Sequence, residues 1–334
     1  MASIIYTDYF IPEKVSIEQL FEKDLRPFIP EAYDSPVKYC QFLRETLGIG
    51  EIGIGDVEDS ADIYSSLIAG FIKESKIDPA EVSYIVTAGW NPLLQASRNE
   101  ELDFYTDGVN VPYYLHKKFG FVNAKLLNLE HYCSGSTYAL GLASSLLDKN
   151  GEYMIILTAS FVPRIDNRFK FYTICGDGVG IFVVSRRSVG LDIIDFDSVT
   201  MGHDSYNKYE GSPERLKAFG RQFHAADLVK SLLAQNGLTL SDVHMIIPHN
   251  VNSGVNYLSA KFLGIPLDKI FSENTSKTGH LLGVDIMVNL KDYMNSVRIP
   301  DGAYLLITAA SNDIGGSTFQ TVLLRYNPNQ SLPQ

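Results

Sequence analysis

The chain alternates short apolar runs with amphipathic stretches along most of its length, the pattern of buried strands separated by helices. Residues 84–88 form a β-branched apolar run, and residues 244–248 form an equivalent run far downstream. Each follows a helical pattern and a polar turn: residues 62–68 lead to 78–82, and residues 227–233 lead to 239–243. A second pair agrees more closely. The run 153–160 matches the run 304–311, and each follows a helix and a Gly-containing turn, Asn150-Gly151 in one case and Asp301-Gly302 in the other. Continuous apolar runs of this length read as parallel strands buried on both faces. Two matching βα halves predict a duplicated α/β architecture with a pseudo-two-fold axis, divided into residues 1–185 and 186–334.

The repeat draws attention to one turn. A strand-like stretch with Leu126, Leu127 and Leu129 runs into Glu130-His131-Tyr132-Cys133-Ser134-Gly135-Ser136, and a small-residue helical stretch follows over 138–147. Cys133 therefore sits where a strand turns into a helix, at the positive end of the helix dipole. That setting favours the thiolate, the form that attacks a thioester. The same position also suits a free cysteine packed as a small hydrophobe. Counting back from the matched strands places Cys133 and Ser134 opposite Val284 and Asp285, just after Gly279-His280. The two helix starts then face each other across the pseudo-axis, outside the strand ends, where open α/β sheets bind ligands.

Composition narrows the function. The 334 residues are 45% hydrophobic and 20% charged, which fits a soluble globular protein with a large core. A net charge of −11 argues against nucleic-acid or anionic-membrane binding. Lys117-Lys118, Arg186-Arg187 and Arg215 with Lys217 and Arg221 are either docking points for an acidic carrier or solvated surface. The odd count of cysteines (Cys40, Cys133, Cys175) lacks framework spacing and points to a reducing compartment. The first residues show no basic region with a long apolar core, and no apolar run is long enough to span a bilayer, so a cytoplasmic protein is expected. No metal site is expected: there is no His-x-x-x-His pair and no two cysteines lie close in sequence.

Four motifs together resemble the thiolase superfamily, specifically its β-ketoacyl-acyl carrier protein synthase III branch. Cys133-Ser134-Gly135 resembles the nucleophile turn, and Cys175-Gly176-Asp177-Gly178-Val179-Gly180-Ile181 resembles the Gly-Asp-Gly-Ala-Gly signature. Pro248-His249-Asn250-Val251-Asn252 resembles the family's His-Gln-Ala-Asn, and Gly315-Gly316-Ser317-Thr318-Phe319 resembles its Gly-rich oxyanion loop. The early run 42–49 also resembles a motif ending in Thr-Gly-Ile. The resemblance implies a layered αβαβα thiolase fold and a homodimer, or a heterodimer with a related chain. It implies an acyl group delivered on phosphopantetheine, from coenzyme A or acyl carrier protein, with no permanently bound cofactor. It implies a covalent thioester on Cys133, an oxyanion hole from the backbone N–H of Cys133 and one of Gly315 or Gly316, and substrate binding by Asn252 and Asn274. His249 keeps the family position and is expected near the thioester.

One departure changes the expected chemistry. Condensing members of the family carry an Asn in a Gly-Asn-Thr-Ser context about thirty residues after the motif histidine. Here the corresponding place reads Lys277-Thr278-Gly279-His280-Leu281-Leu282-Gly283-Val284-Asp285, so His280 replaces the Asn. An amide donates hydrogen bonds but takes no proton at neutral pH, whereas an imidazole acts as a general base. Asp285, five residues on, is placed to orient it, as in a nucleophile–base–acid set. The other reading makes His280 a satisfied polar residue and Asp285 a plain helix-start charge. The resemblance thus implies an acyltransferase that passes the acyl group from Cys133 to a small-molecule hydroxyl, an amine or a carrier thiol. Two alternatives stand beside it: a Claisen-type condensation with a malonyl or β-ketoacyl thioester, and a non-catalytic partner subunit.

Overall fold

The computed structural model describes residues 2–22, 35–55, 60–89, 111–147, 152–162, 168–170, 172–187, 189–201, 213–312 and 317–328. Nine strands form one sheet: β1 (Ala2–Phe10), β2 (Val82–Ala88), β3 (Lys125–Leu129), β4 (Tyr153–Ser160), β5 (Gly178–Ser185), β6 (Gly190–Met201), β7 (Val243–Pro248), β8 (Tyr304–Asn312) and β9 (Ser317–Asn327). Their spatial order is β7-β8-β9-β6-β1-β5-β4-β2-β3. Six helices matter to the site: α1 (Ser60–Ser75), α2 (Val111–Phe119), α3 (Gly135–Leu146), α4 (Pro213–Gln235), α5 (Ser253–Leu263) and α6 (Val284–Ser296).

The predicted duplication is visible in the pairing. In the first half β2 runs parallel to β3 and β4, then β4 pairs antiparallel with β5 and β5 with β1. In the second half β7 runs parallel to β8, then β8 pairs antiparallel with β9 and β9 with β6. The counterpart of β3 is reduced to a single parallel bridge between Ile246 and Ile270. Antiparallel pairing of β1 with β6 joins the halves.

Strand alternation sorts the core into layers. Tyr153, Ile155 and Leu157 pack with Tyr64, Ile68 and Phe71 of α1 and Leu115 of α2. Their neighbours Met154 and Ile156 join a central cluster with Ala139, Leu140 and Ala143 of α3 and Ile286, Met287 and Leu290 of α6. Ile247, Leu305, Ile307, Val322 and Leu324 from the second half enter the same cluster. On the outer side of that half, Ile246, Leu306 and Leu323 pack with Leu232 and Leu233 of α4 and with Ala260 and Leu263 of α5. The helices α3 and α6 thus lie between two sheet faces with further helices outside, the expected αβαβα arrangement. Among the described residues no helix is long and apolar enough to cross a membrane.

Two local features hold the centre. A Cβ on Gly135 would lie 2.2 Å from the Gly89 nitrogen, so only glycine lets the start of α3 abut the end of β2. Asp177, fully buried, accepts Arg168 Nη1 at 2.8 Å and Nη2 at 2.6 Å, and also the backbone N–H groups of Gly55 and Val162. This pair fixes the turn at Gly176, whose N–H donates to the His280 carbonyl at 3.0 Å. Removing one partner of a buried ion pair strands the other. Asp177→Ala is therefore expected to cost about 3–5 kcal/mol, read by denaturant unfolding; a loss near zero would show that Arg168 reaches water or another partner.

Candidate functional site

Cys133 lies in a one-turn 3-10 segment, Tyr132–Ser134, that leads directly into α3. It is half-buried and packs against an apolar cluster of Val162, Cys175 and Leu282. The buried imidazole of His280 stands within hydrogen-bonding reach of its sulfur. On its other side His280 Nδ1 meets Asp285 Oδ2 at 2.5 Å. Asp285 also accepts the N–H of Leu281 at 2.7 Å and of Asn250 at 2.8 Å. The carboxylate sits in the first turn of α6, as expected, where the helix dipole favours it.

The His280 segment is held in an unusual backbone path. Its N–H donates to the Ile174 carbonyl at 2.8 Å, and Gly279 before it has φ +64°. Leu282 lies at φ 53°, a region that side-chain-bearing residues rarely occupy, so strain is stored one residue before the glycine that starts α6. The helix begins at Val284, so Leu282 is the positional counterpart of Cys133. The sequence count, taken from the strands, placed Val284 and Asp285 there. Helix α6 is one residue longer than α3 and the loop after it is one residue longer, which accounts for the offset of two.

His249 follows β7 and is buried, with its ring centroid 5.6 Å from that of His280. Neither of its ring nitrogens has a hydrogen-bond partner of good geometry among the described residues, although the Ala310 backbone lies near enough to favour the protonated form slightly. The two histidines are driven apart in pKa. Burial lowers His249 to about 4, His280 nearby adds to the lowering, and Asp285 offsets it only in part. Burial also pushes His280 down, but the Asp285 carboxylate and the Cys133 sulfur outweigh that and hold it well above the ordinary histidine value.

Helix α6 aligns both histidine segments. Asn289, one turn after Asp285, donates through Nδ2 to the Pro248 carbonyl at 2.7 Å and to Asn250 Oδ1 at 2.9 Å. It thus grips the chain on both sides of His249. The sequence gives Asn250 only as a member of the His249 motif and offers for Asn289 only its four-residue step from Asp285.

The two amides expected to bind substrate have partners in the scaffold. Asn252 caps α5, accepting the Val255 N–H at 2.8 Å and donating to the Tyr172 carbonyl at 2.7 Å. Asn274 donates to Asn289 Oδ1 at 3.1 Å and Asp292 Oδ2 at 2.9 Å. Both amides are buried, and these bonds tie them to the scaffold. Gly315 and Gly316 lie outside the described residues. His249, His280 and Asp285 bring ligand atoms within 4.8 Å of one another, the geometry of a metal cluster. The Asp285 oxygens already accept three hydrogen bonds, and His280 already lies between Asp285 and Cys133, so the set is better described as a relay than as a cation cage.

Residues 233–326 match the family model described as 3-oxoacyl-[acyl-carrier-protein (ACP)] synthase III C terminal. The β-ketoacyl-[acyl-carrier-protein] synthase III of Clostridium acetobutylicum is 22% identical over 346 aligned residues, covering 97% of this chain and 98% of its own. The crystal structure of 3-oxoacyl-[acyl-carrier-protein] synthase III from Aquifex aeolicus VF5 matches with a TM-score of 0.75 at 20% identity, over 98% of this chain and 100% of that one. ChlB3, described as an acyltransferase, matches with a TM-score of 0.74 at 17% identity, over 98% of each chain. The structural likeness at these identities establishes the thiolase-like fold.

The buried neutral His249 makes stability pH-dependent. Its pKa is about 4 when folded and near 6.5 when unfolded, so acid protonates the unfolded chain first. Stability contributed by this group is full above about pH 6.5, falls as the pH drops toward about 4, and then levels off. The shift corresponds to about 3 kcal/mol. Denaturant unfolding at about pH 7 and about pH 4 is expected to show wild type losing that much more than His249→Gln. His280, which acts in the opposite sense, is present in both proteins. Equal losses would mean that His249 is protonated in the folded chain.

Proposed function

This chain belongs to the β-ketoacyl-[acyl-carrier-protein] synthase III-like group of the thiolase superfamily, and we propose that it is an acyltransferase working through Cys133, His280 and Asp285. One observation carries the reading: a buried imidazole backed by a carboxylate faces the sulfur. The family resemblance places a condensing Asn at that position. A nucleophile, a base and an acid that orients the base form the unit that moves acyl groups by covalent catalysis.

In the first half-reaction Cys133 sulfur attacks the carbonyl of a phosphopantetheine thioester, on coenzyme A or acyl carrier protein. The donor thiol leaves with the proton that His280 gives up. The backbone N–H of Cys133, with one from Gly315 or Gly316, is the proposed oxyanion hole. Acylation then caps the sulfur, one of the two neighbours that raise the His280 pKa. The imidazole is thereby made a better base when the acceptor arrives. It takes the acceptor's proton as the heteroatom attacks, and the sulfur leaves to re-pair with the protonated ring. Neutral His249 offers one N–H donor and one acceptor beside it. We also read the chain as a homodimer of cytoplasmic location, with the half-buried edge strand β3 as the pairing edge. The names of the relatives support a second reading, Claisen condensation, and ChlB3's description supports the first.

Intact mass after incubation with a panel of acyl-coenzyme A thioesters, and with acylated carrier protein, is expected to rise by one acyl group in wild type and not in Cys133→Ala. His280→Ala is expected to slow both acylation and transfer by about 10²–10⁴-fold. Release of carbon dioxide, or a β-keto product, would replace acyl transfer by condensation; no adduct with either donor would make the chain a silent partner. A separate NMR titration tests the charge coupling: Cys133→Ala is expected to lower the His280 pKa, and an unchanged value would remove the proposed switch.

A further inference from the structure

Behind His249 lies a cavity of about 80 Å³, between α4, α5 and the second-half strands. Small side chains on three elements leave the space: Ala225 and Ala226 on α4, Ser259 on α5 and Ala310 on β8. The rest of the wall is mainly apolar, and among the described residues no Asp, Glu, Lys or Arg lines it. His249 is the member of the wall that also faces the reactive group, 5.6 Å from the His280 ring.

An imidazole buried with both nitrogens unpaired is costly, by roughly the desolvation of a lost hydrogen bond. Such a group calls for a partner, and a ligand in the adjoining space supplies one. The wall also carries Asn256, Ser259, Thr308 and Gln320, and both polar atoms of the Gln320 side chain are likewise buried without a partner. Concave, mainly apolar space with a few converging polar groups is the ordinary form of a small-molecule site. We propose that this cavity is the acceptor subsite, taking an uncharged alcohol with a compact skeleton of a few carbons, its hydroxyl bonded to His249 and turned toward His280. The proposal rests on the acyltransferase reading above. The apolar part fills the space left by the alanines. A charged acceptor such as a hydroxy acid finds no counter-ion among the described residues and loses its hydration there. A long straight chain overfills it. In the transfer step the alcohol oxygen bonds to the acyl carbon and the Cys133–acyl bond breaks. The hydroxyl proton passes to His280, giving an ester and a released Cys133 sulfur paired again with the protonated ring.

The test loads Cys133 from butyryl-coenzyme A and follows its discharge by ethanol, isobutanol, octanol and glycolate. Isobutanol is expected to discharge the wild-type enzyme about 10-fold or more faster than the other three, the scale of discrimination that an added apolar branch provides in a fitted pocket. Ala226→Leu fills the cavity and is expected to remove that preference; Ala225→Val is the second filling variant should the first fail to fold. An arm without acylation uses saturation-transfer NMR on the free enzyme, where isobutanol contacts are expected in wild type and lost in the filled variant. The same order of acceptors in wild type and variant, preference for glycolate or octanol, no discharge by any alcohol, or no isobutanol contact would overturn the subsite. Failure of Cys133 to acylate at all would instead sink the acyltransferase reading, and the NMR arm would still decide the cavity.

Discussion

Everything at the centre of this molecule depends on one buried carboxylate. Asp285 accepts hydrogen bonds from the His280 ring and from the backbone N–H groups of Leu281 and Asn250. A carboxylate without water is tolerated only when its oxygens are filled, so each missing donor would leave a buried charge exposed to the full cost of desolvation. That requirement draws two separate segments, one carrying His249 and one carrying His280, to a single point at the start of α6. Asn289 repeats the grip one turn further along, on Pro248 and Asn250. The helix acts as a ruler for both imidazoles, and Cys133 is brought to them by the matching helix of the other half.

Two histidines this close would behave alike in water, yet the protein separates them. His249 has burial and no close anion in bonding contact, so it stays neutral. His280 has the same burial but a carboxylate on one side and a sulfur on the other, so it holds its proton. Environments that push neighbouring groups in opposite directions divide the work of acid, base and hydrogen-bond partner. The division depends on where Asp285 hydrogen-bonds, not on the identity of the two side chains.

Much of this was legible in the sequence because it is written in local patterns. The runs 153–160 and 304–311 are mostly apolar because both faces of those strands are covered, and their likeness disclosed the repeat. Cys133 was visible because a turn and a helix start are local properties, whereas His280 and Asp285 stood out through the family resemblance, as a departure from its Asn. The amides were not. Asn252 and Asn274 stand in motif-like positions, but an amide donates and accepts alike, and which neighbour it meets is decided by tertiary packing. Asn289 and Arg168 were invisible for the same reason, since their partners come from distant segments. The start of α6 was misplaced by two because α6 and the loop after it are each one residue longer than their counterparts in the first half, and helix and loop lengths are not fixed by the matching strands.

The place of β1 in the sheet has a consequence for how the chain is made. It is synthesised first, yet it lies in the middle of the nine strands, between β5 and β6. Its partners run from Val179 to Ser185 and from Leu191 to Ile193, so more than half the chain must be made before either can reach it. Pairings of such long sequence separation close slowly, because loop entropy is lost before the contact forms. Until then the first strand is a free edge with Ala2 and Ile4 unburied, exposed to wrong partners. The seam that unites the two halves therefore cannot close until β5 and β6 have both been made, and in that interval a nascent chain is open to mispairing.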